Sequence, residues 1–272
     1  MKKTHTINGI EVFTKGDLTK NVLVFIHGNS LNAITFINQF NKLHSIPLVA
    51  INLPGHGNSD RPKLFQDVYC IPGYVNALKV VLQELKINSC ILAGHSLGGH
   101  IAIESLNEIN SIKGLFIFGT PPITIPPQMD KMFLPNPNIG LLFSGKMTEK
   151  EAKLIANELV YTHKEIVPTL SSIMLETDEN ARLSLGASVG EGKFKNEVEL
   201  LKQCNFPIAI LHGNNDSLVN LQYISDLKLP NLWQNKVHCL ENTGHCPQIE
   251  NTEIFNELLE NYYHSVLKNN NE

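Results

Sequence analysis

A serine in this chain stands in a setting that could make it a nucleophile. Residues 94–100 read GHSLGGH, and the first five of them fit the pattern Gly-x-Ser-x-Gly, with Ser96 at the centre. This pattern can mark a nucleophilic serine on a sharp turn, or it can be an ordinary glycine-rich loop. Which of the two applies depends on the elements that flank the motif.

The flanking elements favour the nucleophile. An apolar run at 90–93 leads into the motif, and residues 97–108 have the length and spacing of a helix. Glycines on both sides of Ser96 let strand and helix approach each other while the serine backbone is strained. The N–H of Leu97, at the start of that helix, would then point at an oxygen bound beside Ser96. We therefore predict Ser96 as the nucleophile and Leu97 as a donor of its oxyanion hole.

A serine hydroxyl needs a neighbouring base, and the chain has 11 histidines to choose from. His245 lies just after the strand-like run 236–240, on a loop that can reach over the edge of a sheet. Other histidines lie inside a predicted strand, at strand ends or on the predicted helix 97–108, as for His238, His27, His212 and His100. Position therefore favours His245 as the base.

The base needs a carboxylate that orients it. Asp216 follows the apolar run 208–211 and precedes a helical segment at 219–228. An aspartate in that place could equally be a helix N-cap. The resulting chain order of serine, aspartate and histidine is the one that the α/β-hydrolase arrangement uses. We therefore expect Asp216 to orient His245.

A second oxyanion donor should come from the loop after an early strand, where the chain reads HGNS at 27–30. Gly28 permits a tight turn, and the N–H of Asn29 could face the bound oxygen, with its side-chain amide as a further donor. Ser30 could contact the substrate, and a plain strand-ending turn explains it equally well.

These residues require a sheet that brings strand ends together. Short runs that are apolar on both faces recur between helix-like segments, at 22–26, 48–52, 90–93, 115–118 and 208–211. Such runs are typical of central strands in a parallel sheet covered by helices. The alternation predicts a doubly wound α/β sheet, preceded by a hairpin at 6–12.

One region breaks this alternation. Residues 121–196 contain no strand-like run, start rich in proline and continue with helical patterns at 148–161, 164–175 and 178–185. So long an interruption is unusual for a loop inside a compact domain. We therefore expect a core domain made of residues 1–120 and 197–272, with residues 121–196 as an inserted helical cap.

Composition excludes several classes of partner. The formal net charge of −4 offers no basic face for nucleic acid, and no apolar run has the length of a membrane helix. The five cysteines form no close pairs, which suits a reducing compartment. Neither a His-x-His-x-Asp-His cluster nor a CxxC pair is present. We expect a cytoplasmic protein that uses neither metal nor cofactor.

Nearly the whole chain resembles the α/β-hydrolases, through FIHGNS, INLPGHGNSDRP, AGHSLGGH, FGTPP, LHGNNDSLV and ENTGHCP in the family's order. The resemblance implies an α/β-hydrolase fold, with a mostly parallel eight-stranded sheet, helices on both faces and a helical cap insertion. It also implies a Ser96–Asp216–His245 triad with backbone donors at Asn29 and Leu97.

A narrower resemblance links the chain to metal-independent N-acyl-homoserine-lactone lactonases of this fold. It rests on HGNS, LPGHGNS, SLGGHIAIE, GTPPI, PNLWQNKVH and the GHCP loop. Trp233 of the PNLW stretch could also be a core residue on an edge strand. Two positions depart from the pattern. Ile155 stands where those enzymes carry a substrate-contacting tyrosine, with Tyr161 as the nearest aromatic residue, and His95 stands where tryptophan is expected.

The sequence thus predicts a serine hydrolase of carboxylic esters or lactones, in the first place an enzyme that opens N-acyl-homoserine lactones and so quenches quorum sensing. A general carboxylesterase is the alternative, and a non-catalytic signal receptor, a C–C-bond hydrolase and an epoxide hydrolase rank lower. The small-molecule substrate would contact Ser30 and apolar cap residues, each of which could equally be cap core: Met132, Phe133, Leu141, Leu142, Ile155 and Leu159.

Overall fold

The structure, a computed structural model, describes residues 3–269. Eight strands form one sheet in the order β1-β2-β4-β3-β5-β6-β7-β8. Strands β3 to β8 are parallel to one another, whereas β2 is antiparallel to β1 and β4. The strands are β1 (Lys3–Ile7), β2 (Ile10–Lys15), β3 (Val22–Ile26), β4 (Leu48–Ile51), β5 (Cys90–His95), β6 (Ile112–Phe118), β7 (Ile208–Gly213) and β8 (His238–Leu240). The predicted sheet is confirmed.

The central strands are apolar on both sides because helices cover both faces of the sheet. Alternate residues of β3 belong to different buried clusters, with Val24 and Ile26 on one face and Leu23 and Phe25 on the other. The predicted hairpin is also present, since Ile7 pairs with Ile10 across a two-residue turn at Asn8 and Gly9.

Eleven α-helices lie in the described part of the chain. They are α1 (Ile37–Lys42), α2 (Ile71–Glu84), α3 (Leu97–Glu104), α4 (Met129–Met132), α5 (Glu149–Leu159), α6 (Val167–Glu176), α7 (Glu179–Gly190), α8 (Glu197–Gln203), α9 (Leu221–Ser225), α10 (Pro247–Glu250) and α11 (Thr252–Asn269). Short 3-10 turns add Ala33–Phe36, Ile139–Phe143, Lys164–Ile166 and Trp233–Asn235. None of the helices within residues 3–269 is long and apolar enough to cross a membrane.

Several element ends differ from the expected ones. The helix expected at 34–44 starts as a 3-10 turn and becomes α-helical at Ile37. Helix α3 ends at Glu104, where the Ser105 hydroxyl donates a hydrogen bond back to the Ile101 carbonyl. Such local bonds compete with continuation of a helix. The segment after Asp216 is likewise shorter than expected, because α9 covers only Leu221–Ser225.

The stretch between β6 and β7 contains helices α4 to α8 and no strand among the residues that the structure describes. Helix α5 begins with a capping box between Thr148 and Glu151. Buried Arg182 of α7 donates to the backbone carbonyls of Gly145 and Met174, which ties the helices of this stretch together. The division into a core and a cap at residues 121–196 stays a prediction. The ends of the expected core ranges, residues 1–2 and 270–272, lie outside the described residues.

Candidate active site

Four loops meet at the carboxyl edge of the sheet. Asn29 follows β3, Ser96 follows β5, Asp216 follows β7 and His245 follows β8. Because these strands are parallel members of one sheet, their carboxyl ends lie along one edge. Residues that are up to 216 positions apart in sequence therefore face one region of the molecule.

Ser96 occupies a strained turn between β5 and α3, with φ 50° and ψ −115°. Its N–H donates to the Phe118 carbonyl at 2.9 Å, which holds the turn on the neighbouring strand β6. A Cβ on Gly98 would lie 2.1 Å from the Ile26 carbonyl oxygen, so only glycine lets α3 pack this closely on β3. The geometry is that of a nucleophile elbow, which lifts the serine side chain above the sheet edge.

Asp216 and His245 form a buried pair. The Nδ1–H of His245 donates to Oδ2 of Asp216 at 2.7 Å. The other carboxylate oxygen, Oδ1, accepts from the N–H groups of Leu218 at 2.8 Å and Val219 at 3.2 Å. One aspartate thus closes the local turn and orients the histidine, whereas the N-cap of α9 is Asn220, whose side chain accepts from the Gln222 N–H.

The charge state of Asp216 follows from these contacts. Burial alone would raise its pKa, but attraction to His245, their hydrogen bond and the Leu218 N–H outweigh burial and lower the pKa below its usual range. A second histidine lies nearby, with Nδ1 of His212 at 4.0 Å from Oδ2 of Asp216. Burial lowers the pKa of His212, which favours its neutral form.

The loop that carries His245 is held by two residues that the sequence reasoning did not identify. Glu250 accepts from the Gly244 N–H at 2.8 Å through Oε1, and from the Tyr161 N–H at 2.6 Å through Oε2. His95 donates its Nε2–H to the His245 carbonyl at 2.8 Å. No sequence signal distinguishes Glu250 from other glutamates. His95 drew attention only as a departure from an expected tryptophan.

His95 replaces that aromatic residue with a neutral ring. It stacks on Phe118, with centroids 5.1 Å apart and an interplanar angle of 14°. Burial lowers its pKa to about 3, so the ring is uncharged at neutral pH. It therefore packs as an aromatic residue and also supplies the hydrogen bond that holds the His245 backbone.

The loop after β3 is fixed by His27. Its Nε2 accepts from the Leu53 N–H at 3.0 Å, and its Nδ1 bonds the Gly28 carbonyl at 2.9 Å. The side-chain amide of Asn29 donates to the Leu142 carbonyl at 2.7 Å, so this amide is bonded to the 3-10 turn Ile139–Phe143. Ser30 is fully buried, with its hydroxyl on Oδ1 of Asn29 at 3.3 Å.

A cavity of about 720 Å³ opens above Ser96. Its wall is mostly apolar, and it includes Ser96, His245, Leu97 and Asn29. Three residues expected to contact the substrate, Met132, Phe133 and Leu142, also line it, whereas Leu141 does not. The cavity wall thus combines a strained serine and a histidine bonded to an aspartate with one residue each from the loops after β3 and β5.

Other expected substrate contacts lie elsewhere. Ile155 and Leu159 are buried in the hydrophobic core, on the apolar face of α5, which packs against α6. Neither of them, nor Ser30, belongs to the cavity wall. Trp233 lies in a 3-10 turn and stacks on His238 with centroids 4.8 Å apart, so it packs in the core.

Comparison with known proteins identifies relatives of this chain. A family model described as the alpha/beta hydrolase family matches residues 23–258. The AB hydrolase superfamily protein YisY of Bacillus subtilis (strain 168) is 25% identical over 253 residues, which cover 89% of this chain and 91% of YisY.

Solved structures are similar over the same length. A mutant of the N-acyl homoserine lactonase AidH, complexed with N-hexanoyl homoserine lactone, superposes with a TM-score of 0.89 at 28% identity, covering 95% of each chain. The esterase RhEst1 from Rhodococcus sp. ECU1013 superposes with a TM-score of 0.73 at 20% identity, covering 97% of this chain and 98% of RhEst1, which is a likeness of fold. The resemblance noted from the motifs is confirmed.

Proposed function

Because this chain belongs to the alpha/beta hydrolase family, we propose that it is a serine hydrolase that opens N-acyl-homoserine lactones through Ser96, His245 and Asp216. Family membership, with a lactonase and an esterase among its structural neighbours, makes the chain an ester hydrolase. The observation that carries the finer proposal is one cavity lined by both the strained Ser96 and His245, with His245 held by Asp216.

The first half of the reaction forms an acyl-enzyme. His245 removes the proton from the Ser96 hydroxyl, and Oγ attacks the carbonyl carbon of the lactone. Negative charge then collects on the carbonyl oxygen, where the N–H groups of Asn29 and Leu97 stabilise it. The N–H of Leu97 is available because the first N–H groups of a helix have no intrahelical acceptor.

Collapse of this intermediate breaks the ring C–O bond, and His245 gives its proton to the leaving alkoxide oxygen. In a lactone that oxygen stays tethered to the acyl group. Water, deprotonated by His245, then attacks the acyl-enzyme, and the proton returns to Ser96 as the hydroxy acid leaves. Asp216 keeps the imidazole in the tautomer that these reaction steps need, through the hydrogen bond to Nδ1.

Substrate choice would depend on the helical segment 121–196, which we propose as a cap over the site. Its Met132, Phe133 and Leu142 line the cavity and offer an apolar surface to an acyl chain. Likeness to AidH with its bound lactone supports this substrate class. A general carboxylesterase would use the same chemistry, and likeness to RhEst1 in fold keeps that reading as the second candidate. The expected cytoplasmic location and quorum-quenching role stay predictions.

The test offers the protein N-butanoyl- and N-hexanoyl-homoserine lactone, with ring opening followed by mass spectrometry, and p-nitrophenyl butanoate in parallel. Ring opening supports the lactonase, and turnover of the ester alone would leave the carboxylesterase. Ser96→Ala should abolish both activities, whereas Ser172→Ala, an exposed serine on α6, should retain them. Binding of lactone without any turnover by wild-type protein would favour a signal receptor on this fold.

A further inference from the structure

His100 is a polar residue of the cavity wall that the proposed mechanism does not use. It lies on α3, four residues beyond Ser96, and its ring lines the same cavity. Nδ1 of His100 lies 2.9 Å from Oε2 and 3.0 Å from Oε1 of Glu197. An ionised carboxylate only accepts hydrogen bonds, so Nδ1 carries a hydrogen.

Glu197 is built into the core as a support for this ring. Its side chain is fully buried, and Oε2 also accepts from the Ile123 N–H at 2.8 Å. Its own backbone N–H donates to the Ile123 carbonyl at 2.8 Å. A carboxylate fixed by these bonds holds the imidazole in one orientation and leaves Nε2 as the ring nitrogen for another partner.

Nothing else in the described protein uses that nitrogen, since Nε2 of His100 has no hydrogen-bond partner among residues 3–269. Burial alone would lower the pKa of His100, but the Glu197 carboxylate outweighs burial and raises the pKa above its ordinary value. This favours the imidazolium form, in which Nε2 also carries a hydrogen and is a charged donor.

The rest of the described cavity wall offers few polar side chains. Besides Ser96 and His245, the other polar side chains that line it are Asn29, whose amide is bonded to the Leu142 carbonyl, and the exposed Asp130. A charged donor in a mostly apolar cavity needs an acceptor from water or from a ligand.

We propose that His100, held by Glu197, forms a polar subsite that donates Nε2–H to a second carbonyl oxygen on the acyl part of the substrate. This rests on the proposed function, in which Ser96 attacks the scissile carbonyl. Four residues of helix rise place His100 about 6 Å along α3 from Ser96. The second carbonyl therefore lies a few bonds from the first, and the enzyme selects acylamino or keto esters and lactones over plain alkyl ones.

Two isosteric esters test this subsite without assuming a lactone. N-acetylglycine p-nitrophenyl ester carries an amide where p-nitrophenyl pentanoate carries methylene groups, and both release p-nitrophenol. The readout is kcat/KM for the N-acetylglycine ester divided by kcat/KM for the pentanoate. This ratio is compared between variants, because differences in the intrinsic reactivity of the two esters then cancel. In His100→Phe this ratio should fall by about 10- to 100-fold, as expected for a lost hydrogen bond to a charged donor.

Three further variants keep the result interpretable. His100→Gln retains an N–H donor near the position of Nε2 and should hold the ratio within about threefold of wild type. His44→Phe removes an exposed histidine outside the cavity and should leave the ratio unchanged. If His100→Phe fails to fold because Glu197 is left buried and unpaired, the double variant His100→Phe/Glu197→Leu removes that charge and should show the same fall.

A ratio that stays within about twofold of wild type in folded His100→Phe would overturn the subsite. If wild-type protein hydrolyses neither ester and opens no homoserine lactone, the proposed function fails instead. The subsite is then tested by binding, with the Kd values of the anilides of N-acetylglycine and pentanoic acid measured calorimetrically on Ser96→Ala protein. Ser96→Ala protein should bind the N-acetylglycine anilide more tightly than the pentanoic acid anilide, and the Ser96→Ala/His100→Phe double variant should lose this preference. A preference that persists in the double variant would refute the subsite.

Discussion

The side-chain amide of Asn29 donates a 2.7 Å hydrogen bond to the backbone carbonyl of Leu142. This bond joins the loop after β3, which would supply an oxyanion donor, to the 3-10 turn Ile139–Phe143 of the helical segment. The backbone N–H proposed for catalysis and the wall of the cavity are therefore positioned by the same residue.

Replacing Asn29 with alanine should loosen that junction and keep the backbone N–H. A typical hydrogen bond contributes about 0.5–1.5 kcal/mol, so kcat/KM for p-nitrophenyl butanoate should fall by about 2- to 10-fold. Hydrogen exchange of residues 139–143, measured by mass spectrometry, should become faster. Asn29→Asp should be more harmful, since a carboxylate would face the Leu142 carbonyl oxygen. Unchanged exchange in folded Asn29→Ala would contradict the junction.

Glu250→Gln should disturb the loop that carries His245. Both carboxylate oxygens of Glu250 accept from backbone N–H groups, of Gly244 on one side and of Tyr161 and Thr162 on the other. A glutamine must turn its NH2 group toward one of these donors, which costs about 1–3 kcal/mol. We expect a lower Tm and a lower kcat together. Glu253→Gln, on an exposed side chain of α11, is the matched control and should change neither.

Gly98→Ala should prevent close packing of α3 on β3. The added Cβ would lie 2.1 Å from the Ile26 carbonyl oxygen, and backbone atoms cannot move aside as a flexible side chain can. We expect a loss of several kcal/mol in the free energy of unfolding, measured with urea, or no folded protein. Gly140→Ala, where nothing lies within 4 Å of the new Cβ, should be nearly neutral. Equal stability of the two variants would contradict this packing.

Glu104 should make stability depend on pH. Burial and the nearby Glu197 raise its pKa to about 7, against the opposing effects of Lys195 and His100. The folded state therefore binds more protons than the unfolded state between the ordinary value of 4.5 and about 7. Stability falls as pH rises through this window, by about 3 kcal/mol for the full shift.

The check compares wild type with Glu104→Gln in urea unfolding at pH 5 and pH 8. Glutamine cannot ionise, so the variant should lose less stability than wild type between these two conditions. Glu253→Gln should follow wild type. A parallel pH dependence in Glu104→Gln and wild type would show that this carboxyl does not titrate differently on folding.

Sequence reasoning succeeded where the signal is local. Each of Ser96, Asp216 and His245 follows a short strand-like run, and a residue just past the end of a parallel strand lies at one sheet edge whatever the details of packing. The glycines around Ser96 likewise announce a tight strand-to-helix turn. The family and the mostly parallel eight-stranded sheet could therefore be inferred before any coordinates.

Contacts between distant segments needed the tertiary structure. Sequence reasoning did not predict that Glu250 would bond Tyr161, or that Glu197 would bond His100, across 89 and 97 positions of the chain. Helical spacing shows that Ile155 and Leu159 share an apolar face. A face buried against α6 and a face that lines a cavity have the same apolar pattern in the sequence.

The sequence by itself thus determined the fold, the family and the order of the residues at the sheet edge, because periodicity and turn residues act within a few positions. Only the tertiary structure decided which buried polar groups hold those residues and which apolar residues face the cavity. Both depend on how separate segments pack in space, and packing brings together groups whose spacing in the chain carries no periodic signal.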